Sequence, residues 1–154
     1  MMREAATAGD LCTRHVVVAP PSLSVDEASR LMRERHVGCL VVVEQGDGGR
    51  LPTGILTDRD IVLAVVAKDA DAKTLRVGDV MTATVASVRE TDTLYDVLST
   101  MRSRGVRRLP VTGAHGTLAG ILTLDDVLNA LAGQLQALGS VVGRERRQEF
   151  TARP

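Results

Sequence analysis

The chain has 154 residues, 44% of them hydrophobic, with 19 Lys plus Arg set against 19 Asp plus Glu. That length fits one compact body, or two half-size units sharing a core, and the near-zero formal charge supplies no field to draw in DNA or an anionic bilayer. One Phe, one Tyr and no Trp leave few platforms for stacking single-stranded bases, so nucleic acid is not an expected partner and the core must come from Val, Leu, Ile, Ala and Met.

In chain order, Met1 to Asp10 lacks the basic-then-apolar pattern of a signal peptide, and Cys12 and Cys39 do not make a disulfide framework. Apolar stretches such as Cys39 to Val43 and Ile61 to Ala67 fall far short of the ~20 residues that span a bilayer. A cytoplasmic chain with no membrane span is expected.

Val16 to Ala19 reads as a β-branched strand. Ser24 with Glu27 forms a capping box that opens a helix to about Arg35, with Ala28, Leu31 and Met32 as its buried stripe. Strands are predicted at Cys39 to Val43 and Thr53 to Leu56, joined by the Gly-rich stretch Glu44 to Thr53, and a helix at about Asp58 to Ala67. After the linker Lys68 to Arg76 the pattern returns: a strand near Val85 to Val88, a helix Leu94 to Arg104, strands Leu109 to Thr112 and Leu118 to Leu122, and a helix from Leu124 onward.

The return is a sequence repeat. Gly9-Asp10-Leu11-Cys12-Thr13 recurs as Gly78-Asp79-Val80-Met81-Thr82, and Val37 to Val42 recurs as Val106 to Val111, both 69 positions later. Gly54-Ile55-Leu56-Thr57 and Asp60 recur as Gly120-Ile121-Leu122-Thr123 and Asp126, now 66 positions later, so three residues are lost within the Gly-rich connection. The expected organisation is a first repeat over 9–67, a linker over 68–77, a second repeat over 78–132 and a C-terminal extension over 133–154.

Each repeat is βαββα, giving a mixed α/β (α+β) fold. A right-handed crossover makes the first two strands parallel, which brings His15 and Val16, Gly38 and Cys39, and Leu56 and Thr57 to one sheet edge. A three-stranded sheet with two helices cannot cover both faces alone, so the repeats should pack about a pseudo-twofold axis, with ligand clefts between them.

The doubled segments Gly-Ile-Leu-Thr-Asp-Arg-Asp (54–60) and Gly-Ile-Leu-Thr-Leu-Asp-Asp (120–126) resemble the signature of the CBS-domain family, and the likeness covers about Gly9 to Ala132. The resemblance implies a stand-alone tandem pair (Bateman module), regulatory and not an enzyme, assembled as a homodimer. It also implies that Thr57, Asp60, Thr123 and Asp126 hold the ribose and phosphate of AMP, ADP or ATP, or of a related ligand such as NADH or S-adenosylmethionine. Its base would lie against Val16 and Val37 in one cleft and Val85 and Val106 in the other. No cofactor is required, and an unidentified regulated protein is the implied downstream partner.

The chemistry suits those roles: a carboxylate accepts from both hydroxyls of a cis-diol, and a Thr hydroxyl beside free backbone N–H groups suits a phosphate. Thr-x-x-Asp is equally a capping box, however, and Ser24/Glu27 and Thr93/Asp96 share the spacing where no ligand is expected. Capping alone therefore accounts for both motifs, and a ligand-free docking or dimerisation module is the competing reading. Asp58-Arg59 becomes Leu124-Asp125 in the second repeat, so Arg59 makes the first motif the better anion site; Arg104, Arg107 and Arg108 are candidates to restore positive charge at the second.

Cys12, His15, His36 and Cys39 form a zinc-type donor set at the shared sheet edge, against a plain reading of buried thiols and exposed imidazoles. The second repeat has Met81, Thr84, Gly105 and Arg108 at the matching places. No cysteine has an evident base, and His115, in the hairpin, is expected to face water. Finally, Leu124, Leu128, Leu131, Leu135, Leu138 and Val142 form a continuous helical stripe that outruns the second repeat; Gly133, Gly139 and Gly143 weaken it, and Arg144 to Pro154 is expected to be disordered.

Overall fold

The computed structural model describes residues 6–83 and 86–151. The first repeat holds β1 (Val18–Ala19), α2 (Val25–Arg35), β2 (Cys39–Gly46), β3 (Gly49–Thr57) and α3 (Asp58–Ile61), preceded by the one-turn helix α1 (Ala8–Leu11). Beyond the linker come α4 (Val77–Val80), β4 (Thr82–Ala83), β5 (Val88–Arg89), α5 (Leu94–Arg104), β6 (Arg108–Thr112), β7 (Leu118–Thr123) and α6 (Leu124–Thr151).

Two sheets result, in strand orders β1-β2-β3-β4 and β5-β6-β7. As the crossover requires, β1 runs parallel to β2 and β5 parallel to β6, while β2-β3 and β6-β7 are antiparallel. The first hairpin is tighter than its Gly-rich sequence suggested: the ladder runs on through Gln45↔Arg50 to Gly46↔Gly49, leaving Asp47 and Gly48 as the loop. Gly49 takes φ 131°, a value that only glycine adopts readily. The second hairpin instead closes through a 3₁₀ turn, Ala114–Gly116.

Local capping chemistry sets the helix starts. Ser24 Oγ accepts from the Glu27 N–H (3.2 Å) and the Glu27 carboxylate accepts from the Ser24 N–H (3.1 Å), so α2 begins at Val25. Thr93 and Asp96 do the same for α5. The helix predicted over Asp58 to Ala67 is α-helical only to Ile61; it then widens into a π turn, Val62–Val66, in which the Ala67 N–H reaches Val62 O at 2.9 Å.

Each repeat's opening segment packs on the other repeat. Ala8 belongs to the core formed by Val88, Val97, Met101, Leu109, Val111, Leu122 and Val127, whereas Val77 belongs to that of Ala19, Ala28, Met32, Leu40, Val42 and Leu56. Thr13 bridges Ile121, and Thr82 pairs with Ile55, the same contact 69 and 66 positions on. This exchange carries the pseudo-twofold relation.

The C-terminal expectation is corrected. Arg144 to Thr151 is helical, part of the single 28-residue α6. Arg, Glu and Gln are strong helix formers, and side chains reinforce the last turns: Arg147 Nε donates to Gly143 O (3.3 Å) and Thr151 Oγ1 to Arg147 O (2.6 Å). The three glycines, each costing ~1 kcal/mol in a helix interior, do not interrupt it.

Candidate functional site

Both motifs sit where a strand turns into a helix. Thr57, the last residue of β3, pairs with Cys39 at the start of β2, and Thr123 of β7 pairs with Arg108 of β6. The next residue ties each helix start to the neighbouring strand: the Asp58 N–H donates to Gly38 O (3.0 Å), and the Leu124 N–H donates to Arg107 O (2.9 Å).

Within each motif the Thr and Asp close on one another. The Thr57 N–H and Oγ1 both donate to Asp60 Oδ2, at 2.8 and 2.7 Å, and Oγ1 accepts from the Asp60 N–H at 3.2 Å. Thr123 and Asp126 repeat this at 2.8, 2.8 and 3.2 Å. The capping reading is therefore realised at both motifs. It occupies only Oδ2, leaving Oδ1 of each half-buried carboxylate without a protein donor among the described residues.

A cleft of about 470 Å³ opens over the first motif, lined by Ile55, Thr57, Asp58, Arg59 and Asp60 and, from beyond the linker, Thr82, Gly105, Val106, Arg107 and Arg108. Three arginines and two aspartates thus line one cleft, together with the apolar Ile55 and Val106. Over the second motif lies a smaller depression of about 160 Å³, lined by Thr123, Leu124 and Asp125 and again by Arg107 and Arg108. The two arginines form a wall common to both.

The sequence grouping is corrected accordingly. Val106, paired above with the second motif, lines the first cleft, because the start of β6 stands between the two motifs; Arg108 serves both. Val16 does not join Thr57: β1 pairing begins only at Val18, so Val16 leaves the sheet early and lines separate depressions, one with Arg14, His15 and Arg50, the other with Leu31 and Arg35. Val37 packs against the first core, and Val85 lies outside the described residues. Asp126 is bound into its capping box without lining the second depression, and Arg104 lines neither. Thr82 was missed, although its place in the repeated Gly-Asp-Leu/Val-Cys/Met-Thr segment marked it.

The zinc-type set is not assembled. Among the described residues no three His, Cys, Asp or Glu side chains converge to hold a metal ion. The exchange of opening segments separates the thiols: Cys12 packs against the second core, while Cys39 lies on β2 near Arg108 and Asp58. Burial pushes both thiols above the ordinary cysteine value; Arg108 opposes this at Cys39 and Arg14 at Cys12. His36 caps α2 in the left-handed conformation at φ 53°, and His115 is exposed in its turn.

A family model for the CBS domain matches residues 8–67 and 77–133. An uncharacterized protein of Methanopyrus kandleri is 32% identical over 120 residues, 78% of this chain, which spans 60% of that relative's length. The CBS domain-containing protein YhcV of Bacillus subtilis is 36% identical over 118 residues, 77% of this chain and 80% of YhcV. Inosine-5'-monophosphate dehydrogenase of Methanocaldococcus jannaschii is 33% identical over 121 residues, 79% of this chain but only 23% of the enzyme, so the likeness is to its CBS region. Among solved structures, CBSX2 of Arabidopsis thaliana superposes with a TM-score of 0.71 at 32% identity, covering 87% of this chain and 99% of its own. A hexameric CBS-CP12 protein from bloom-forming cyanobacteria gives 0.72 at 31% identity, covering 82% and 68%. No helix among the described residues is long and apolar enough to cross a membrane.

Proposed function

Because the chain belongs to the CBS-domain family and carries two copies of that domain, a pair that is commonly regulatory, we propose that it senses an adenine nucleotide in the cleft over Thr57 and Asp60. The observation that carries this reading is the cleft's composition. Free Oδ1 of Asp60 suits a ribose hydroxyl, Arg59, Arg107 and Arg108 suit phosphate oxygens, and Ile55 and Val106 suit the face of a base. AMP, ADP and ATP share these features; NADH and S-adenosylmethionine share some of them.

The cleft walls come from both sides of the linker, so a ligand that bridges them favours whichever packing brings the walls to the right separation. A signal requires that the ligand bind two packings with different affinity, and an unidentified protein partner reads the change. The module performs no chemistry on the ligand.

Calorimetric titration of AMP, ADP, ATP, NADH and S-adenosylmethionine against the wild type and Asp60→Asn tests the reading. Asparagine keeps an acceptor for the cap and removes the charge. At least one ligand is expected to bind below millimolar concentration, about ten-fold more weakly in the variant. Absence of binding by all five, with no thermal shift, supports the ligand-free docking module instead.

A further inference from the structure

A basic depression of about 140 Å³ is lined by Arg14, His15, Val16, Arg50, Leu118 and Ala119. No carboxylate lines it, and it shares no lining residue with the cleft over Thr57 or the depression over Thr123. Arg14 is held in place, since its guanidinium pairs with Glu90 and donates to Gly9 O at 2.9 Å. Arg50, exposed near the start of β3, makes no ion pair among the described residues.

Two guanidiniums and an imidazole therefore share one small space, and the counter-charge that pairs with Arg14, the Glu90 carboxylate, is not among its lining groups. Like charges gathered in this way repel one another, and a depression lined by one sign of charge concentrates ions of the other. The repeat architecture does not call for these cations. Ala83 stands 69 positions on from Arg14, and Arg50 lies in the connection that is three residues longer in the first repeat than in the second.

We infer that this depression binds a phosphate group, either free phosphate or the end of a phosphomonoester. Size sets the class: the space is smaller than the roughly 300–1,000 Å³ of pockets that enclose a whole small molecule, and it suits a single tetrahedral oxyanion. A guanidinium presents paired donors that match phosphate oxygens, and Arg14, already oriented by Glu90, has less freedom to lose on binding.

The site lies where the repeats exchange segments. Arg14 and His15 follow Thr13, whose N–H donates to Ile121 O at 2.9 Å; Arg50 belongs to the first hairpin, and Leu118 and Ala119 to β7 of the second repeat. A bound phosphate braces that junction and stabilises the packed pair by mass action. This input is separate from the nucleotide cleft, so the two readings stand or fall separately.

Proton NMR and thermal unfolding at fixed pH and constant ionic strength test the site, with sodium phosphate and glycerol 3-phosphate as probes and sodium chloride as the control. In the wild type a probe is expected to shift the His15 ring resonance saturably, that resonance being assigned by its loss in His15→Gln, and to raise the melting temperature where chloride does not. Arg50→Ala is expected to bind about ten-fold more weakly while melting as the wild type does without phosphate, because Arg50 is exposed and unpaired. Arg108→Ala is expected to keep the His15 shift, which separates this site from the nucleotide cleft. Tighter binding of one probe supports the site and names its source of phosphate. No His15 shift with either probe, an equal shift with chloride, full affinity in Arg50→Ala, or loss of the shift in Arg108→Ala overturns the inference.

Discussion

Thr57 Oγ1 lies 2.7 Å from Asp60 Oδ2 and accepts the Asp60 N–H at 3.2 Å, the same reciprocal closure that Thr93 makes with Asp96 at 2.6 and 3.3 Å. The first pair lines the cleft shared with Arg107 and Arg108, whereas Thr93 and Asp96 line none of the depressions described above. Replacing either Thr by Ala removes an N-cap and is expected to lower stability by about 1 kcal/mol, read from urea unfolding. Only Thr57→Ala should also weaken nucleotide binding. Equal effects of both on binding, or of neither, would reduce the first motif to a helix cap.

Arg108 gives a cleaner separation of binding from folding. Its side chain is exposed and makes no hydrogen bond or ion pair among the described residues, yet it lines both clefts. Arg108→Ala is expected to leave the melting temperature within a degree or so while weakening nucleotide binding about ten-fold, since a charge-assisted contact is worth about 1.5–3 kcal/mol. The loss should shrink as salt is raised, because the site is open to solvent. Calorimetry at two ionic strengths decides it.

What the sequence made legible was local chemistry. The Ser24/Glu27 and Thr93/Asp96 boxes placed α2 and α5 to the residue, since a cap depends on side chains within three positions of the helix start. The strands were placed less well. Edge strands β1 and β5 are two residues long, because their length is set by how far they follow β2 and β6 and not by their own Val content. The exchange of opening segments, which pulls Cys12 away from Cys39, depends on contacts between distant positions, such as Thr13 with Ile121 and Ala8 with Asp92, that no local pattern encodes. For the same reason the sequence named Thr57, Arg59 and Asp60 but grouped Val106 with the second motif and did not foresee that Arg108 lines both clefts: the position of β6 between the motifs is a property of the packed pair.

The exchange has its own test at Gly120. A Cβ there would meet Cys12 Sγ at 2.5 Å and Thr13 O at 2.9 Å, so the crossing segment leaves room for hydrogen alone. Gly54 faces Met81 and the Thr82 carbonyl in the same way. Gly120→Ala is expected to cost about 1–3 kcal/mol through overpacking against backbone. Gly133→Ala, in open space on α6, is expected to stabilise by up to about 1 kcal/mol. Opposite signs in chemical denaturation would confirm that the first glycine is held by packing and the second is not.

Acid should unfold the protein partly through its caps. Hydrogen bonds from Thr7, Ser24 and Thr93 hold the carboxyls of Asp10, Glu27 and Asp96 below their ordinary values. A carboxyl whose value is lowered on folding binds fewer protons in the folded chain than in the unfolded one. Its contribution is therefore complete above the unfolded value near pH 4 and is lost as pH falls through the folded value. Melting temperature is expected to be flat in this respect from neutrality to about pH 5 and to fall below it. In Asp96→Asn, where one such group no longer titrates, the fall between pH 4 and lower values should be shallower than in the wild type. An unchanged slope would mean that the exposed caps are too weakly coupled to folding to matter.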